Sequence, residues 1–298
     1  MLLTTKDPNG GEKLLWDIYF WIGSESSQDE YGVAAYKTVE LDDLLGGEPM
    51  QHREIEGRES SGFVHIFSDG ITYLEGGVDS GFRQVSDEDG NHLLGTNRLY
   101  RVYKKAGEQT TRCFEVAMEC SSLNHSDAFL LDAGSKVFTW FGDCVSPFER
   151  NKSASVAHNI KENRLGDCEC ILGVEDDNEE FWELLGGKGE IKAAKEDVDV
   201  TYDDAEKKMF CISDAEGSVG FKQVPLSESS LASKDVFIID TGSNAYVWIG
   251  KDSTSSEKQQ AIIITCRYLQ QMDRHNWTCV TRILEGQEDR CKPFLEVF

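Results

Sequence analysis

The chain is short of positive charge, of paired cysteines and of long apolar runs, and each shortage removes a class of function. Its 298 residues hold 30 lysines and arginines against 54 aspartates and glutamates, a net charge of −24. Such a surface repels phosphate backbones, which argues against nucleic acid as a partner and favours cations, divalent metals included. The nine cysteines are odd in number and contain no C-x-x-C pair, so neither a regular disulfide framework nor the common zinc spacings are expected. Reduced thiols in a cytoplasmic protein fit better. No run of about 18 apolar residues could span a bilayer, and the opening MLLTTKDPNGG has no basic leader. The six histidines are scattered, and G-x-S-x-G, Walker and H-E-x-x-H motifs are all missing. These absences point to a binding protein rather than an enzyme.

What is present is one phrase written three times. YFWIGSESSQDE at 19–30, FTWFGDCVSPFE at 138–149 and YVWIGKDSTSSE at 246–257 share a Trp-x-Gly core with a glutamate seven residues after the glycine. The tryptophans Trp21, Trp140 and Trp248 lie 119 and 108 residues apart, a domain-sized period that predicts tandem repeats with boundaries near 97 and 206, giving 1–97, 98–206 and 207–298. SDAFLLD at 126–132 and KDVFIID at 234–240 place Asp127 and Asp235 thirteen residues before their tryptophans. These β-branched runs, ended by AGS and TGSN turns, predict strand pairs, and the polar stretches after each glycine lead into helices over 30–45, 149–162 and 257–272. Further strands such as 277–286 follow. EGRE at 56–59 and EGQE at 285–288 recur after the helices. The predicted class is α+β, three tandem domains each with a mixed sheet and a long helix on one face. Residues 174–206, with thirteen acids and three lysines, read as a solvated linker.

Two readings of the recurring carboxylates stand side by side. Asp127 with Glu149, and Asp235 with Glu257, would repel if brought together without a cation, and calcium takes six to eight oxygens of this kind. Equally, each glutamate suits the first turn of a helix as a cap. No EF-hand loop occurs. The tryptophans are expected in the core. On a wheel for 31–45, Ala34, Leu41, Leu44 and Leu45 form one apolar arc for the sheet. Ala35, Tyr36 and Val39 form a second, with Asp42 and Asp43 beside it, which suits helix-in-groove docking on another protein or a neighbouring repeat.

The whole chain resembles the gelsolin/villin family in its three-repeat form, the organisation of severin, fragmin, the macrophage-capping protein and the N-terminal half of gelsolin. The stretch at 27–60, SQDEYGVAAYKTVELDDLLGGEPMQHREIEGRES, and GGVDSGFRQV at 76–85 carry the match. The resemblance implies a calcium-activated cytoplasmic and cytoskeletal protein that severs actin filaments and caps their barbed ends, or caps and binds monomers without severing. It implies that Ala35, Tyr36, Val39 and Asp43 meet actin through the first long helix and that Arg150 meets the filament side. The implied calcium ligands are Glu30 with the Val78 carbonyl; Asp127 and Glu149 with Ser126 and Asp197; Asp235 with Glu257; and, for an ion shared with actin, Asp42 with the carbonyls of Gly47 and Pro49. A phosphoinositide headgroup cluster maps onto Arg98, Arg101, Lys104 and Lys105. The family's second-repeat disulfide positions fall on Ala128 and Phe141, so no bridge forms there. The resemblance also implies a strand and a Gly-Asp pair ahead of MLLTT.

Overall fold

The computed structural model describes residues 1–7, 12–68, 70–76, 97–104, 110–164, 168–194, 206–213, 220–274 and 278–298. The chain forms two compact units, one of residues 1–63 with 201–298 and one of residues 64–200.

The first unit is built on an eight-stranded sheet. β1 (Leu2–Lys6) and β2 (Leu14–Ile22) form an antiparallel pair, α1 (Gln28–Leu44) follows, and β3 (Met50–Ile55) returns parallel to β2. A short α2 (Ser61–Val64) ends this first repeat.

The second unit begins with β4 (Thr72–Tyr73). β5 (Arg98–Tyr103) and β6 (Arg112–Val116) follow, then the hairpin β7 (Ala128–Asp132) and β8 (Lys136–Phe141), α3 (Pro147–Asn163), β9 (Glu169–Leu172) and α4 (Glu179–Leu184). The six strands run β4-β6-β5-β7-β8-β9. Ala128 and Phe141 face each other across β7 and β8, where the resemblance places the family's bridge. All nine cysteines are free.

The rest of the first unit repeats the pattern: β10 (Lys208–Ser213), β11 (Gly220–Val224), β12 (Val236–Asp240), β13 (Asn244–Ile249), α5 (Ser255–Gln271), β14 (Cys279–Leu284) and α6 (Lys292–Leu295). The sheet order is β1-β2-β3-β14-β13-β12-β10-β11. The first and third repeats therefore share one sheet, joined where β14 pairs antiparallel with β3, Arg282 opposite Gln51 and Val280 opposite Arg53.

The central hairpin strands are buried throughout: every residue of AFLLD in β7 and of VFIID in β12 is inside. Continuous apolar runs of this kind belong to strands covered on both faces. Their terminal aspartates serve the turns that follow. Asp132 Oδ1 accepts the Gly134 N–H at 3.0 Å and Arg164 Nη1 at 2.7 Å; Asp240 accepts the Gly242 N–H at 2.9 Å, the Tyr268 hydroxyl at 2.6 Å and the Arg274 guanidinium. Gly134 and Gly242 have φ of 79° and 88°, which a residue with a Cβ adopts only under strain.

Of residues 174–206, those up to 194 depart from the linker expectation, and 195–205 lie outside the described residues. α4 lies within them, and Phe181 and Trp182 are buried in a core with Phe138 and Trp140. The two aromatics gain more by burial than the flanking acids lose by sitting on the outer face of one helical turn.

Candidate functional site

The recurring phrase is a device for joining a strand to a helix. The Gly142 N–H donates to the Asp127 carbonyl at 3.0 Å, and the Gly250 N–H donates to the Asp235 carbonyl at 3.1 Å. At that approach a Cβ on Gly142 would lie 2.5 Å from the His125 carbonyl, and a Cβ on Gly250 would run into the Ser233 carbonyl. Only glycine lets the loop that carries each aspartate come so near. Gly250→Ala is accordingly expected to destabilise the first unit by about 1–3 kcal/mol, the usual cost of overpacking, read as a lower urea midpoint with unchanged slope.

The glutamate of each phrase is the third residue of its helix and closes a capping box. Ser27 pairs with Glu30, Ser146 with Glu149 and Thr254 with Glu257, side chain to backbone in both directions. Each box satisfies two of the free N–H groups at the helix start. The capping role is thus realised in all three repeats.

It does not exhaust the second and third glutamates. Glu149 gives Oε2 to the Ser146 N–H and hydroxyl, both at 2.8 Å, and its Oε1 reaches the Lys104 N–H at 2.8 Å. Asp127 is buried close enough for Glu149 to act on its titration. Burial is the main cause raising its pKa, the Asn124 hydrogen bond and Arg101 oppose it, and Glu149 adds to the rise. Asn124 fixes this corner, its Oδ1 accepting the Ser126 and Asp127 N–H groups at 2.8 and 3.1 Å and its Nδ2 donating to Asp127 at 2.7 Å. The cation already on Asp127 is Arg101, whose Nε lies 2.5 Å from Oδ2. In the third repeat Asp235 and Glu257 both act on the Cys211 thiol, whose pKa burial raises and the two carboxylates raise further. Glu30, by contrast, is exposed, and its candidate partner Val78 lies outside the described residues, as do Asp197 and Lys105.

The third kind of site lies at the end of α1. Asp42 is buried at 4 % exposure and faces Arg282, itself 2 % exposed, with Nη1 3.0 Å from Oδ2. The same Nη1 donates to the Pro49 carbonyl at 3.3 Å. Gly47, with φ of 77°, turns the chain so that its N–H donates to the Asp42 carbonyl at 2.9 Å. A cavity of about 560 Å³ opens here, lined by Asp42, Asp43, Gly47, Lys251, Lys258 and Arg282. Burial raises the Asp42 pKa most; Arg282 and Gln51 pull it down, and Asp43 raises it. Among the described residues no three His, Cys, Asp or Glu side chains converge as a metal-binding set. Carbonyl oxygens would have to complete any of these sites.

The outer face of α1 differs from the wheel. Ala35 is buried against Phe20, Ile22, Ile55 and Ile262, and Val39 is half-buried, whereas Leu44, assigned to the core arc, is 80 % exposed. The cause is α5: its Ile262 joins the apolar cluster that holds Ala35, so α1 is covered both by its own sheet and by a second helix. What remains outside is Val33, Tyr36 and Leu44, spaced three and eight residues apart, with Tyr36 64 % exposed. Asp43 is exposed beside them. In the second unit Arg150 is exposed and stacks its guanidinium 4.6 Å over the Phe141 ring. The basic row is largely spoken for: Arg98 pairs with Glu115 at 2.9 Å, Arg101 with Asp127, and Lys104 lies 4.3 Å over the Phe148 ring.

Comparison with known proteins follows the same threefold division. The gelsolin repeat family model matches residues 1–64, 115–184 and 217–290. The chain belongs to the gelsolin family. It is 37 % identical over 303 residues to the protein named actin depolymerising venom protein gelsolin 1 of Platymeris rhadamanthus, covering 97 % of this chain and 78 % of that one. It is 35 % identical to gelsolin of Drosophila melanogaster across its whole length but spans 38 % of that protein, and 38 % identical to gelsolin-like protein 1 of Caenorhabditis elegans, spanning 59 % of it.

The three gelsolin repeats are not equal, and the inequality explains what the sequence pattern missed. Trp140 and Trp248 are core residues, as expected, but Trp21 is 42 % exposed. α4 and α6 supply Phe181, Trp182 and Phe294 to the clusters of the second and third tryptophans, and the short α2 supplies Phe63, whose ring lies 5.5 Å from that of Tyr19. The recurring E-G-x-E has a role too. Glu56 accepts the Ser24 N–H at 2.7 Å and Glu285 the Lys251 N–H at 2.9 Å; Glu59 accepts the Trp21 indole N–H at 2.9 Å and Glu288 that of Trp248 at 2.7 Å. The second glutamate thus gives the tryptophan's one polar atom a partner, which burial of an indole requires. Arg282 had no signal in the sequence beyond lying in a predicted strand.

Proposed function

We propose that this gelsolin-family chain is a cytoplasmic, calcium-regulated, non-enzymatic actin-binding protein that severs filaments and caps their barbed ends. The observation that carries the reading is the exposed apolar strip of Val33, Tyr36 and Leu44 on α1, within a chain 37 % identical to a relative whose name describes actin depolymerisation. An aromatic at the centre of an apolar strip is the usual anchor of a helix laid into a groove. Asp43 at the rim and Arg150 in the second repeat extend the proposed contact; Ala35 supports it from beneath.

Calcium would be held by Asp127 and Glu149 in the second repeat and by Asp235 and Glu257 in the third, with carbonyl oxygens, that of Ser126 among them. Glu30 and the Val78 carbonyl would serve the first. A further ion would take Asp42 with the Gly47 and Pro49 carbonyls. The residues around Asp42 fit such an ion, the Asp42 Oδ1 and Gln51 Oε1 oxygens being buried without a hydrogen-bond partner, whereas at Asp127 the ion would have to displace the Arg101 guanidinium. The ion supplies positive charge that neutralises carboxylates held close together. Replacing Asp127 by Asn keeps the shape and removes the charge, and is expected to weaken calcium uptake at that site at least tenfold, measured by calorimetry. A phosphoinositide headgroup drawn to Arg98, Arg101, Lys104 and Lys105 would have to compete with Glu115 and Asp127, which Arg98 and Arg101 already neutralise.

A filament depolymerisation assay in micromolar calcium and in chelator tests the whole. Severing multiplies ends and speeds disassembly; capping or monomer binding alone slows it; no change in either condition, with no co-sedimentation, would leave a calcium-binding scaffold without actin.

A further inference from the structure

The final turn of α1 carries Asp42 and Asp43 and no basic residue, at the helix end where carbonyl groups already make the potential negative. A buried carboxylate there needs a cation. It receives one from the other end of the chain: Arg282, on β14, crosses from its place opposite Gln51 and sets Nη1 against both the Asp42 carboxylate and the Pro49 carbonyl. Those are two of the three groups that the family resemblance implies for a metal ion, and the third, Gly47, lines the same cavity.

We infer that Arg282 is the resident cation of this pocket and that calcium and the Arg282 guanidinium are alternative occupants, so that Arg282 sets the calcium concentration at which the pocket fills. The inference rests on the proposed calcium site at Asp42 and adds its regulation.

The geometry favours exchange over coexistence. The guanidinium touches one oxygen of Asp42, and Asp42 Oδ1 and Gln51 Oε1 are left buried and unpartnered. A planar cation whose donors are fixed in a fork does not gather oxygens from several directions, whereas calcium does. Two cations about 4 Å apart in a buried site repel strongly, so both cannot sit on one carboxylate. Apparent calcium affinity is then the intrinsic affinity scaled by the fraction of molecules whose pocket the arginine has left. Lys251 and Lys258 on the cavity wall add to the positive field against which the ion must enter.

The test is calorimetric titration of the full chain with calcium chloride, comparing the unaltered protein, Arg282→Met and the double variant Asp42→Asn/Arg282→Met. Methionine keeps the length without the charge, and the double variant leaves neither group buried alone. The expected result is a site at least tenfold tighter in Arg282→Met than in the unaltered protein, lost again in the double variant. If Arg282→Met titrates like the unaltered protein while the double variant loses a site, calcium uses Asp42 but Arg282 does not compete, and the inference falls alone. If the single and double variants titrate alike, no calcium enters the pocket, and the Asp42 site falls with it. Should Arg282→Met not fold, the side-chain nuclear magnetic resonance signal of Arg282 in the unaltered chain, assigned by its loss in Arg282→Lys, decides the matter. It is expected to shift as calcium saturates, and a signal unmoved through saturation would overturn the inference.

Discussion

Tyr36→Glu is expected to leave the protein folded and to abolish its effect on actin filaments. Tyr36 is mostly exposed, so the substitution removes little buried area from the fold, and the free energy of unfolding should change by less than about 0.5 kcal/mol, as for surface changes away from the core. At a docked surface the same change acts twice. It takes away an aromatic anchor, typically 2 kcal/mol or more at an interface centre, and it asks a carboxylate to lose its water against an apolar groove with no cation facing it on α1. Lys37 is already paired with Glu40 at 2.6 Å. A loss of at least about a hundredfold in affinity for actin monomers follows, corresponding to some 2.8 kcal/mol. Fluorescence titration of labelled actin monomers measures it. A variant that binds as the unaltered chain does would mean that α1 does not dock through this strip.

Asp240→Ala is expected to cost the first unit about 3–5 kcal/mol, the range for removing one member of a buried, hydrogen-bonded ion pair. Asp240 is almost fully buried, and its loss strands three donors at once: the Tyr268 hydroxyl, the Arg274 guanidinium and the Gly242 N–H of the turn. Against a whole stability of about 5–15 kcal/mol for a domain, such a loss removes between about a fifth and all of it. Chemical denaturation followed by tryptophan fluorescence reads it, since Trp248 reports on the same unit. Asp132→Ala in the second unit has the corresponding Arg164 and Gly134 partners and should behave alike.

The elements that proved legible were those written in local pattern. The three long helices follow each Trp-x-Gly phrase within one or two residues of their expected bounds, because the capping residues Ser27, Ser146 and Thr254 and the apolar periodicity both lie within a few positions of each other. AFLL and VFII read as strands because four consecutive apolar or β-branched residues ended by a glycine turn have few other uses. The misses have a common cause in contacts made across the sequence. Nothing near Ala35 announces that Ile262 packs over it, and nothing near Asp42 announces an arginine from β14. The pairing of β3 with β14 depends on two edge strands meeting, and each strand alone carries no mark of its neighbour. α4 was a different kind of miss: Asn178 as N-cap and the acids Glu179 and Glu180 in its first turn are proper helix-start signals, masked by reading the surrounding charge as solvation.

The spacing pairs Asp127 with Glu149, and in the structure Glu149 adds to the rise that burial causes in the Asp127 pKa, while Arg101 Nε lies 2.5 Å from Asp127 Oδ2. The glutamates also cap their helices: Glu149 uses Oε2 for the Ser146 cap, and its Oε1 accepts the Lys104 N–H.

The most direct test of the account is uptake of calcium by the purified full chain, followed by isothermal calorimetry alongside the Asp127→Asn and Asp235→Asn variants. Saturable uptake is predicted, with one site lost in each variant. A chain that takes up no calcium, or whose uptake is the same in both variants as in the unaltered protein, would contradict it.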